Sequence, residues 1–355
     1  MFNNIYLKKR VLVTGHTGFK GSWLSLWLKH LGAEVCGYSL DIPTQPNHYE
    51  LLKLNIDSII ADILDKKKLA KTFSEFQPEI IFHLAAQPLV RRSYLEPVHT
   101  FMTNIMGTVN ILEACRHCDS VQAVINITSD KCYENKEWIW GYRENDPMGG
   151  YDPYSTSKAC SELVTAAYRN SFYNDKILVA SARAGNVIGG GDWAEDRLIP
   201  DIIRAKYSDK YLEIRSPDSI RPWQHVLEPL SGYLLLGQKL LEKDNNCAES
   251  WNFGPGDNGN LSVGYIVNSF KKYLNIKVNF TKTNQNLHEA ELLKLDCSKA
   301  HSKLGWHPVW DCEQMLSATA SWYENYYKNQ SIPSHPQLKS FIAKAKAQNY
   351  TWAVK

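Results

Sequence analysis

Short apolar runs alternate with amphipathic stretches from about residue 10 to about residue 184. Runs of four to eight β-branched or aromatic residues are typical of buried strands, whereas apolar residues recurring every three or four positions are typical of helices. The predicted strands are Arg10–Thr14, Glu34–Ser39, Ser58–Ala61, Ile80–Leu84, Val121–Thr128 and Ile177–Ala184. The predicted helices between them are Ser22–Leu31, Lys66–Phe76, Thr100–Arg116 and Tyr154–Asn170. This alternation predicts an α/β fold with a doubly wound parallel sheet.

The pattern changes after residue 184, where loops rich in glycine, proline and tryptophan separate shorter helices such as Leu198–Lys206. A chain of 355 residues also favours two lobes over one compact unit. We therefore predict a first domain over residues 1–184 and a smaller mixed α/β substrate lobe over residues 185–355. The apolar helix within residues 226–242 is expected to pack back on the first domain.

Composition narrows the classes of function. Hydrophobic residues make up 44% of the chain, and its 40 basic and 37 acidic residues are spread along it, so no basic stripe indicates a nucleic-acid partner. No apolar segment is long enough to span a bilayer, and no signal peptide precedes the first predicted strand. The eight cysteines favour reduced thiols, and no metal site is predicted. We therefore expect a cytoplasmic protein without a membrane partner.

Three glycines follow the first predicted strand at intervals of three residues. Gly15 allows a tight turn, Gly18 lets the backbone approach a pyrophosphate, and Gly21 lets the next helix pack closely. The N-terminus of that helix offers amide donors and a positive dipole to an anion. A tight turn alone is the alternative, but the flanking strand and helix favour a Rossmann-type dinucleotide-binding domain. The predicted contact residues of the turn are Gly15, His16, Thr17, Gly18, Phe19, Lys20 and Gly21.

An acidic residue after the second strand bears on the choice of dinucleotide. Asp41 follows that strand slightly late, and it is either a ligand of the adenosine ribose, which favours NAD over NADP, or an ordinary loop residue. The fourth strand ends in small residues where a cofactor would lie against the backbone. The predicted contacts there are Leu84, Ala85, Ala86 and Gln87.

A tyrosine and a lysine stand four residues apart in the last predicted helix of the first domain. Tyr154 and Lys158 therefore share a helix face, and a nearby cation lowers the tyrosine pKa from about 10 toward neutral pH. The phenolate that forms at such a lowered pKa can take a hydroxyl proton as hydride leaves the same carbon. The spacing is common on helix surfaces, but here the fifth strand leads to Ser129, whose hydroxyl can bind the same substrate oxygen.

The glycine turn, Ser129 and the Tyr154–Lys158 pair occur in the order found in the extended short-chain dehydrogenase/reductase family, and the resemblance covers nearly the whole chain. It implies that Ser129, Tyr154 and Lys158 form a catalytic triad and that Tyr154 and Lys158 also contact NAD. It further implies cofactor contacts at Asp62, Ile63 and Asn104. Relatives often pair through two helices of the first lobe, so the resemblance also implies a homodimer or homotetramer.

Asp130 and Lys131 directly follow the triad serine, and sugar 4,6-dehydratases of this family carry an acid and a base there. In such enzymes oxidation at C4 acidifies the C5 proton, a base removes it, an acid helps the C6 hydroxyl leave as water, and hydride returns to C6. The Asp–Lys pair resembles that of the members acting on CDP-glucose. This resemblance implies Asp130 as the general acid, Lys131 as the base and CDP-glucose as the substrate.

Other interpretations of the same residues stay open. Asp130 and Lys131 also fit a strand-end turn with a surface ion pair. A nucleotide-sugar 4-epimerase shares the cofactor site and the triad but needs no acid–base pair, and a dehydratase of a different nucleotide hexose fits as well. A binding protein on the same scaffold usually lacks the tyrosine or the lysine.

The second lobe supplies candidate contacts to a nucleotide sugar. Residues 182–193 resemble the segment that relatives place beside the sugar diphosphate, and Asn186 is its candidate phosphate or sugar ligand. Arg221 matches the family arginine that binds the diphosphate, a task suited to a planar guanidinium with paired donors. Further candidates are Arg197 and Arg204, which also fit solvated helix positions, and Glu289 at the ribose or base.

Overall fold

The structure, a computed structural model, describes residues 1–173, 176–280 and 290–354. Its strands are β1 (Arg10–Thr14), β2 (Glu34–Ser39), β3 (Asp57–Ile60), β4 (Ile80–His83), β5 (Ala123–Ile127), β6 (Leu178–Ala184), β7 (Val187–Ile188), β8 (Tyr211–Ile214), β9 (Ile220–Pro222), β10 (Gln224–His225), β11 (Ser250–Phe253), β12 (Asn260–Ser262) and β13 (Lys277–Phe280). Its α-helices are α1 (Phe19–His30), α2 (His48–Leu52), α3 (Lys66–Phe76), α4 (Val90–Leu95), α5 (Pro97–Phe101), α6 (Gly107–Arg116), α7 (Pro153–Ser171), α8 (Leu198–Tyr207), α9 (Leu227–Leu241), α10 (Val263–Phe270), α11 (Cys312–Asn329), α12 (Ser334–Ala347) and α13 (Thr351–Val354).

In the described part of the chain, seven strands form one parallel sheet in the order β11-β6-β5-β4-β1-β2-β3. Helices cover both faces, so alternate residues of one strand enter different cores. Val11 packs in the same core as Trp23 of α1, whereas Leu12 packs with Leu69 of α3 and Ile111 of α6. The strand order reverses between β1 and β4, and ligands bind at such a switch point in open α/β sheets. The predicted Rossmann-type, doubly wound α/β fold is confirmed.

The largest departure from the predicted elements lies between β4 and β5. The predicted helix Thr100–Arg116 is helical throughout, but a π-helical turn, Met102–Met106, lies between α5 and α6. Asn104 in this wider turn exchanges two hydrogen bonds with the backbone of Gln87, at 2.8 and 3.1 Å. Such turns often accompany functional positions. The interruption therefore holds a predicted cofactor residue against the end of β4.

Segments after residue 184 also build the main sheet and its cover. β11 pairs with β6 at the edge of the sheet, and α9 packs against β5 and β6. The pairs β7–β10, β9–β12 and β8–β13 form small separate sheets near the carboxyl edge of the large one. The domain division at residue 184 stays a prediction. Among the described helices, none is long and apolar enough to cross a membrane.

Candidate active site

The glycine turn between β1 and α1 has no room for side chains at two of its glycines. Gly15 has a φ of +74°, and a Cβ there would lie 2.8 Å from the backbone nitrogen of Ala85. A Cβ on Gly21 would lie 2.1 Å from the carbonyl oxygen of Gly15. Gly18 is the N-cap of α1 and, within the described residues, no side chain caps this helix. The turn therefore fits the pyrophosphate of a dinucleotide, which needs close backbone approach and amide donors.

Polar side chains of β2 and β3 fix the inner side of this turn. The His16 ring lies between the hydroxyls of Ser39 and Ser58, at 2.8 Å from each. Burial lowers the pKa of His16 to about 4, so the ring is neutral at pH 7. The backbone nitrogen of Thr17 donates to the Ser39 hydroxyl at 3.2 Å, and the Thr17 hydroxyl donates to the carbonyl of Asp41 at 2.6 Å. Ser39 is a polar contact that sequence reasoning missed.

The turns after β3 and β4 bring the other predicted cofactor residues to the same edge. The Asp62 carboxylate accepts a hydrogen bond from the backbone nitrogen of Leu64 at 2.8 Å, and Ile63 is buried against Gly107. Thr14 Oγ1 accepts from the backbone nitrogens of Leu84 and Ala85 at 3.1 Å each. These bonds set the positions where small residues leave the backbone open to a flat ligand.

Asn104 connects that edge to the helix of the tyrosine–lysine pair. Its side-chain nitrogen donates to the Gln87 carbonyl at 3.1 Å and to the Ser157 hydroxyl at 2.8 Å. Ser157 directly precedes Lys158 on α7. The side chain of Asn104 is 2% exposed, so these bonds form away from water.

The predicted triad residues meet at the end of β5. Burial raises the pKa of Tyr154 to about 12, although a hydrogen bond from Ser129 opposes the shift. Burial also lowers the pKa of Lys158 to about 8. The Lys158 ammonium donates to the carbonyl of Ile127 at 3.2 Å. Tyr154 and Lys158 therefore lie with Ser129 in one desolvated environment, where charge effects are strong.

Asp130 is a buried carboxyl group, and one of its two oxygens is unpartnered within the described part of the chain. Ser129 donates to its Oδ1 at 3.0 Å, while Oδ2 has no hydrogen-bond partner among the described residues. Burial raises the pKa of Asp130, and the charges of Lys131, Lys20 and Arg221 act in the opposite direction. The short helical turn Asp130–Cys132 is capped by Ser129, which accepts from the backbone nitrogen of Lys131 at 3.2 Å.

Two further groups face this carboxyl group. Lys20 is partly buried, and desolvation together with the charge of Arg197 lowers its pKa to about 7. The phenol of Tyr233, on α9, has no hydrogen-bond partner among the described residues; burial, Asp130 and Tyr154 all raise its pKa. Sequence reasoning placed Lys20 in the glycine turn and missed Tyr233, whose apolar helix gives no signal of a polar role.

Arginines of α8 and the loop before it are held by local partners. Arg197 donates to Asp192 at 3.2 Å, and its charge acts on Tyr154. Arg204 donates to the carbonyl of Trp193 at 3.0 Å and pairs with Asp201. Arg197 therefore faces the triad, whereas Arg204 braces the loop that leads into α8.

Asn186 and Arg221 lie where the second lobe meets Asp130. The Asn186 carbonyl accepts from the backbone nitrogen of Gln224 at 3.0 Å. A Cβ on the preceding residue, Gly185, would lie 3.2 Å from Asp130 Oδ2. The Arg221 guanidinium donates to the carbonyl of Ile220 at 2.9 Å, and its charge acts on Asp130. Glu289 lies outside the described residues.

The parallel sheet, the glycine turn at its switch point and the buried serine–tyrosine–lysine group define an extended short-chain dehydrogenase/reductase. A family model described as GDP-mannose 4,6 dehydratase matches residues 12–319. The chain belongs to that family.

Curated relatives include dehydratases and epimerases. A CDP-glucose 4,6-dehydratase of Salmonella typhimurium (strain LT2) is 53% identical over 338 residues, which cover 93% of this chain and 94% of the relative. A UDP-glucose 4-epimerase of Mycoplasma pneumoniae is 25% identical, with 90% of this chain and 98% of the relative covered. The sequence is thus far more similar to the dehydratase than to the epimerase.

Solved structures share the fold. A UDP-glucuronic acid 4-epimerase from Bacillus cereus, in complex with UDP-glucuronic acid and NAD, superposes with a TM-score of 0.78 at 26% identity, covering 90% of this chain and 100% of that one. A dTDP-glucose 4,6-dehydratase from Bacillus anthracis str. Ames, in complex with NAD, gives a TM-score of 0.74 at 20% identity, covering 90% of this chain and 98% of that one. The latter likeness concerns the fold alone.

Proposed function

We propose that this chain is an NAD-dependent CDP-glucose 4,6-dehydratase, a hydro-lyase that converts CDP-D-glucose to CDP-4-keto-6-deoxy-D-glucose and water. The observation that carries the proposal is the buried Asp130, which has one oxygen without a hydrogen-bond partner among the described residues and whose charge acts on Tyr154. A 4-epimerase has no use for a second acid there. The 53% identical relative is named for the same reaction.

The first chemical task falls to the triad. NAD, when bound, accepts the C4 hydride and later returns it to C6. The glycine turn from Gly15 to Gly21 would hold its pyrophosphate, and Gln87 and Asn104 would be further contacts of the cofactor. The Lys158 cation stabilises the phenolate of Tyr154, and this phenolate takes the proton of the C4 hydroxyl while Ser129 holds the same oxygen.

The second task is the loss of water across C5 and C6. Lys131 removes the C5 proton, which the C4 ketone acidifies, and Asp130 gives its proton to the departing C6 hydroxyl. The raised pKa of Asp130 suits this role, because burial favours the protonated acid. Hydride then enters at C6 and a proton returns to C5, so that the reaction is redox-neutral.

Product analysis with several nucleotide sugars tests the proposal. Purified protein is incubated with NAD and CDP-, dTDP-, UDP- or GDP-glucose, and each product is examined by mass spectrometry and NMR. We expect loss of one water from CDP-glucose in preference to the others. Retained mass with inverted C4 overturns the reaction, and faster turnover of another nucleotide overturns the substrate.

We also propose that two copies of the chain pair through the predicted helices Thr100–Arg116 and Tyr154–Asn170, which correspond to α6 with the turn before it and to α7. Large apolar side chains are exposed on α7 and on the two short helices that contact it: Leu95 of α4 is 83% exposed, Val98 of α5 74% and Leu163 of α7 59%. A paired interface would remove this apolar surface from water. Leu163→Glu should shift the mass measured by light scattering from an oligomer to a monomer, whereas Tyr211→Glu, at an exposed position in β8, should not.

We further assign the enzyme to the cytoplasm. The structure contains no disulfide among its eight cysteines, which are all free and mostly buried. Long-lived free thiols suit a reducing compartment. Fractionation of the source cells, followed by immunoblotting, tests this assignment.

A further inference from the structure

Glu162 is a buried carboxylate on the same face of α7 as the tyrosine–lysine pair. Residues 154, 158 and 162 are spaced by four, so their side chains line one side of the helix. The Glu162 side chain is 3% exposed. Burial opposes its ionisation, but the Arg183 charge and several donated hydrogen bonds outweigh burial and lower the pKa of Glu162. The group is therefore charged at neutral pH.

Three neighbouring strands deliver donors to this carboxylate. Arg183 of β6 donates Nε to Oε1 and Nη2 to Oε2, both at 2.9 Å. Ser181 of β6 and Ser250 of β11 donate to Oε2 at 2.6 and 3.2 Å. Thr128, which follows β5, donates to Oε1. Because Thr128 directly precedes Ser129, the carboxylate fixes the strand end that carries the triad serine.

The same carboxylate acts on the charge of Lys158, one helical turn away. Burial lowers the pKa of Lys158 to about 8, and Glu162 and Cys132 act in the opposite direction. From other elements, His83 of β4 and Lys20 of α1 also face Lys158. Burial keeps the His83 ring and the Cys132 thiol neutral. Among the described groups that act on Lys158, Glu162 is therefore the one negative charge at pH 7.

We propose that Glu162 is a positioning residue, which keeps Lys158 protonated below Tyr154 and holds Ser129 in register through Thr128. This inference rests on the proposed function, because it assumes that Tyr154 and Lys158 act on the sugar hydroxyl. A lysine cation favours the phenolate, and a neutral lysine does not. Glu162 touches no reacting atom; it acts through its neighbours on α7 and β5.

A graded series of variants tests the proposal through the pH dependence of C4 oxidation. Glu162→Gln removes the charge at nearly constant volume, and Lys158 should then lose its proton at lower pH. We expect the alkaline limb of kcat to move by about one unit toward lower pH, with KM changed less than about twofold. In Glu162→Asp the carboxylate retreats by about 1.5 Å, one carbon–carbon bond, and the limb should move by a smaller amount in the same direction.

Glu144→Gln is the matched control, because Glu144 is a partly buried carboxyl group of the same polar network that is not among the groups acting on Lys158. Its Oε1 accepts from the backbone nitrogen of Asn252 at 2.9 Å. The alkaline limb of this variant should match that of the parent. The inference is overturned if the alkaline limb of kcat is unshifted in both Glu162 variants. If Glu162→Gln does not fold, the limb of Glu162→Asp alone decides the question.

A second measurement needs neither substrate nor cofactor. The unfolded chain keeps the lysine protonated, so the free energy of unfolding rises with pH wherever folded Lys158 has lost its proton. Between about pH 7 and pH 8 this rise should be steeper in Glu162→Gln than in Glu144→Gln. Equal slopes overturn the inference and leave the proposed function intact, whereas undiminished turnover by Tyr154→Phe overturns the proposed function itself.

Discussion

The candidate site has two sides. On the sheet side, Asp130 follows the end of β5, and Tyr154 and Lys158 share one face of α7. On the other side, Arg204 belongs to α8 and Arg221 to the short strand β9. Among the sheet-side groups, the charge of Asp130 acts on Tyr154, and one oxygen of Asp130 has no hydrogen-bond partner among the described residues. The two arginines donate to backbone carbonyls, including those of their own loops. The predicted reacting groups thus lie on the large sheet and the long helix beside it, whereas the two arginines, on the predicted substrate side, lie on shorter elements outside that sheet.

This difference has a consequence for function. Groups fixed by a sheet and a long helix are pre-organised for chemistry, which is worth most in a desolvated site. Arginines that also donate hydrogen bonds to backbone carbonyls stabilise the local fold in addition to any role in binding. Substitutions on the sheet side should therefore change rates, and substitutions on the other side should change affinity or stability.

The largest effect is expected at Tyr154. Tyr154→Phe removes the proton acceptor for the C4 hydroxyl, and turnover of CDP-glucose should fall by about 1,000-fold. The measurement is product formation under saturating substrate. Tyr151→Phe is the control, because this residue lies three positions earlier and is 76% exposed; it should keep parental turnover. Equal losses in the two variants would remove the assigned role of Tyr154.

A smaller, step-specific effect is expected at Lys131. Lys131→Met keeps an unbranched chain but removes the amine, so C4 oxidation should persist as transient NADH while water loss slows by about 100-fold. Stopped-flow absorbance follows NADH, and mass spectrometry follows dehydration. Lys136→Met, at a half-exposed lysine paired with Glu134 in the same loop, is the control. Parental dehydration by Lys131→Met excludes it as the C5 base.

The sheet and the shared helix of Tyr154 and Lys158 could be predicted because their signals are local. β1, β2 and α3 have the predicted bounds, since a run of apolar residues or a 3.6-residue period reports directly on each element. The spacing between Tyr154 and Lys158 likewise fixes one helix face. Local patterns thus predicted the strands and helices of the sheet, including the edge at which the candidate site lies.

Long-range packing is what the sequence could not report. The pairing of Glu162 with Arg183 depends on how α7 lies over β6, and Tyr233 stands in an apolar run that is typical of any core helix. A signal for Glu162 was present, because it continues the four-residue spacing of the pair. No periodicity indicated that Lys20 would extend from the glycine turn to Asp130.

The two arginines of the substrate side should respond differently to the same substitution. Arg221→Lys keeps the charge but loses the planar fork, and KM for CDP-glucose should rise about 10-fold with little change in kcat. Arg204→Lys should leave KM within about twofold and lower the thermal midpoint, because it loses the bond to the Trp193 carbonyl. Equal rises in KM would contradict the distinction between the two arginines.

The smallest expected effect is on the pH dependence of the free energy of unfolding, which tests whether the sheet side and the substrate side unfold together. His83 of β4 and His225 of β10 are both buried, and burial lowers the pKa of each to about 3. Only the unfolded chain binds these protons between about pH 6.5 and pH 3, so their stabilising contribution is present above pH 6.5 and is lost as the pH falls. His16 and His48, also buried, add to this acid sensitivity.

Denaturant unfolding from pH 7 to pH 4 measures this linkage. His83→Gln and His225→Gln should each reduce the pH slope by up to about 1.4 kcal/mol per pH unit, within one cooperative transition. A single transition is expected because Ile125 of β5, Leu230 of α9 and Phe253 of β11 share one core. Two separate transitions, each sensitive to one histidine, would mean that the substrate side folds independently of the sheet.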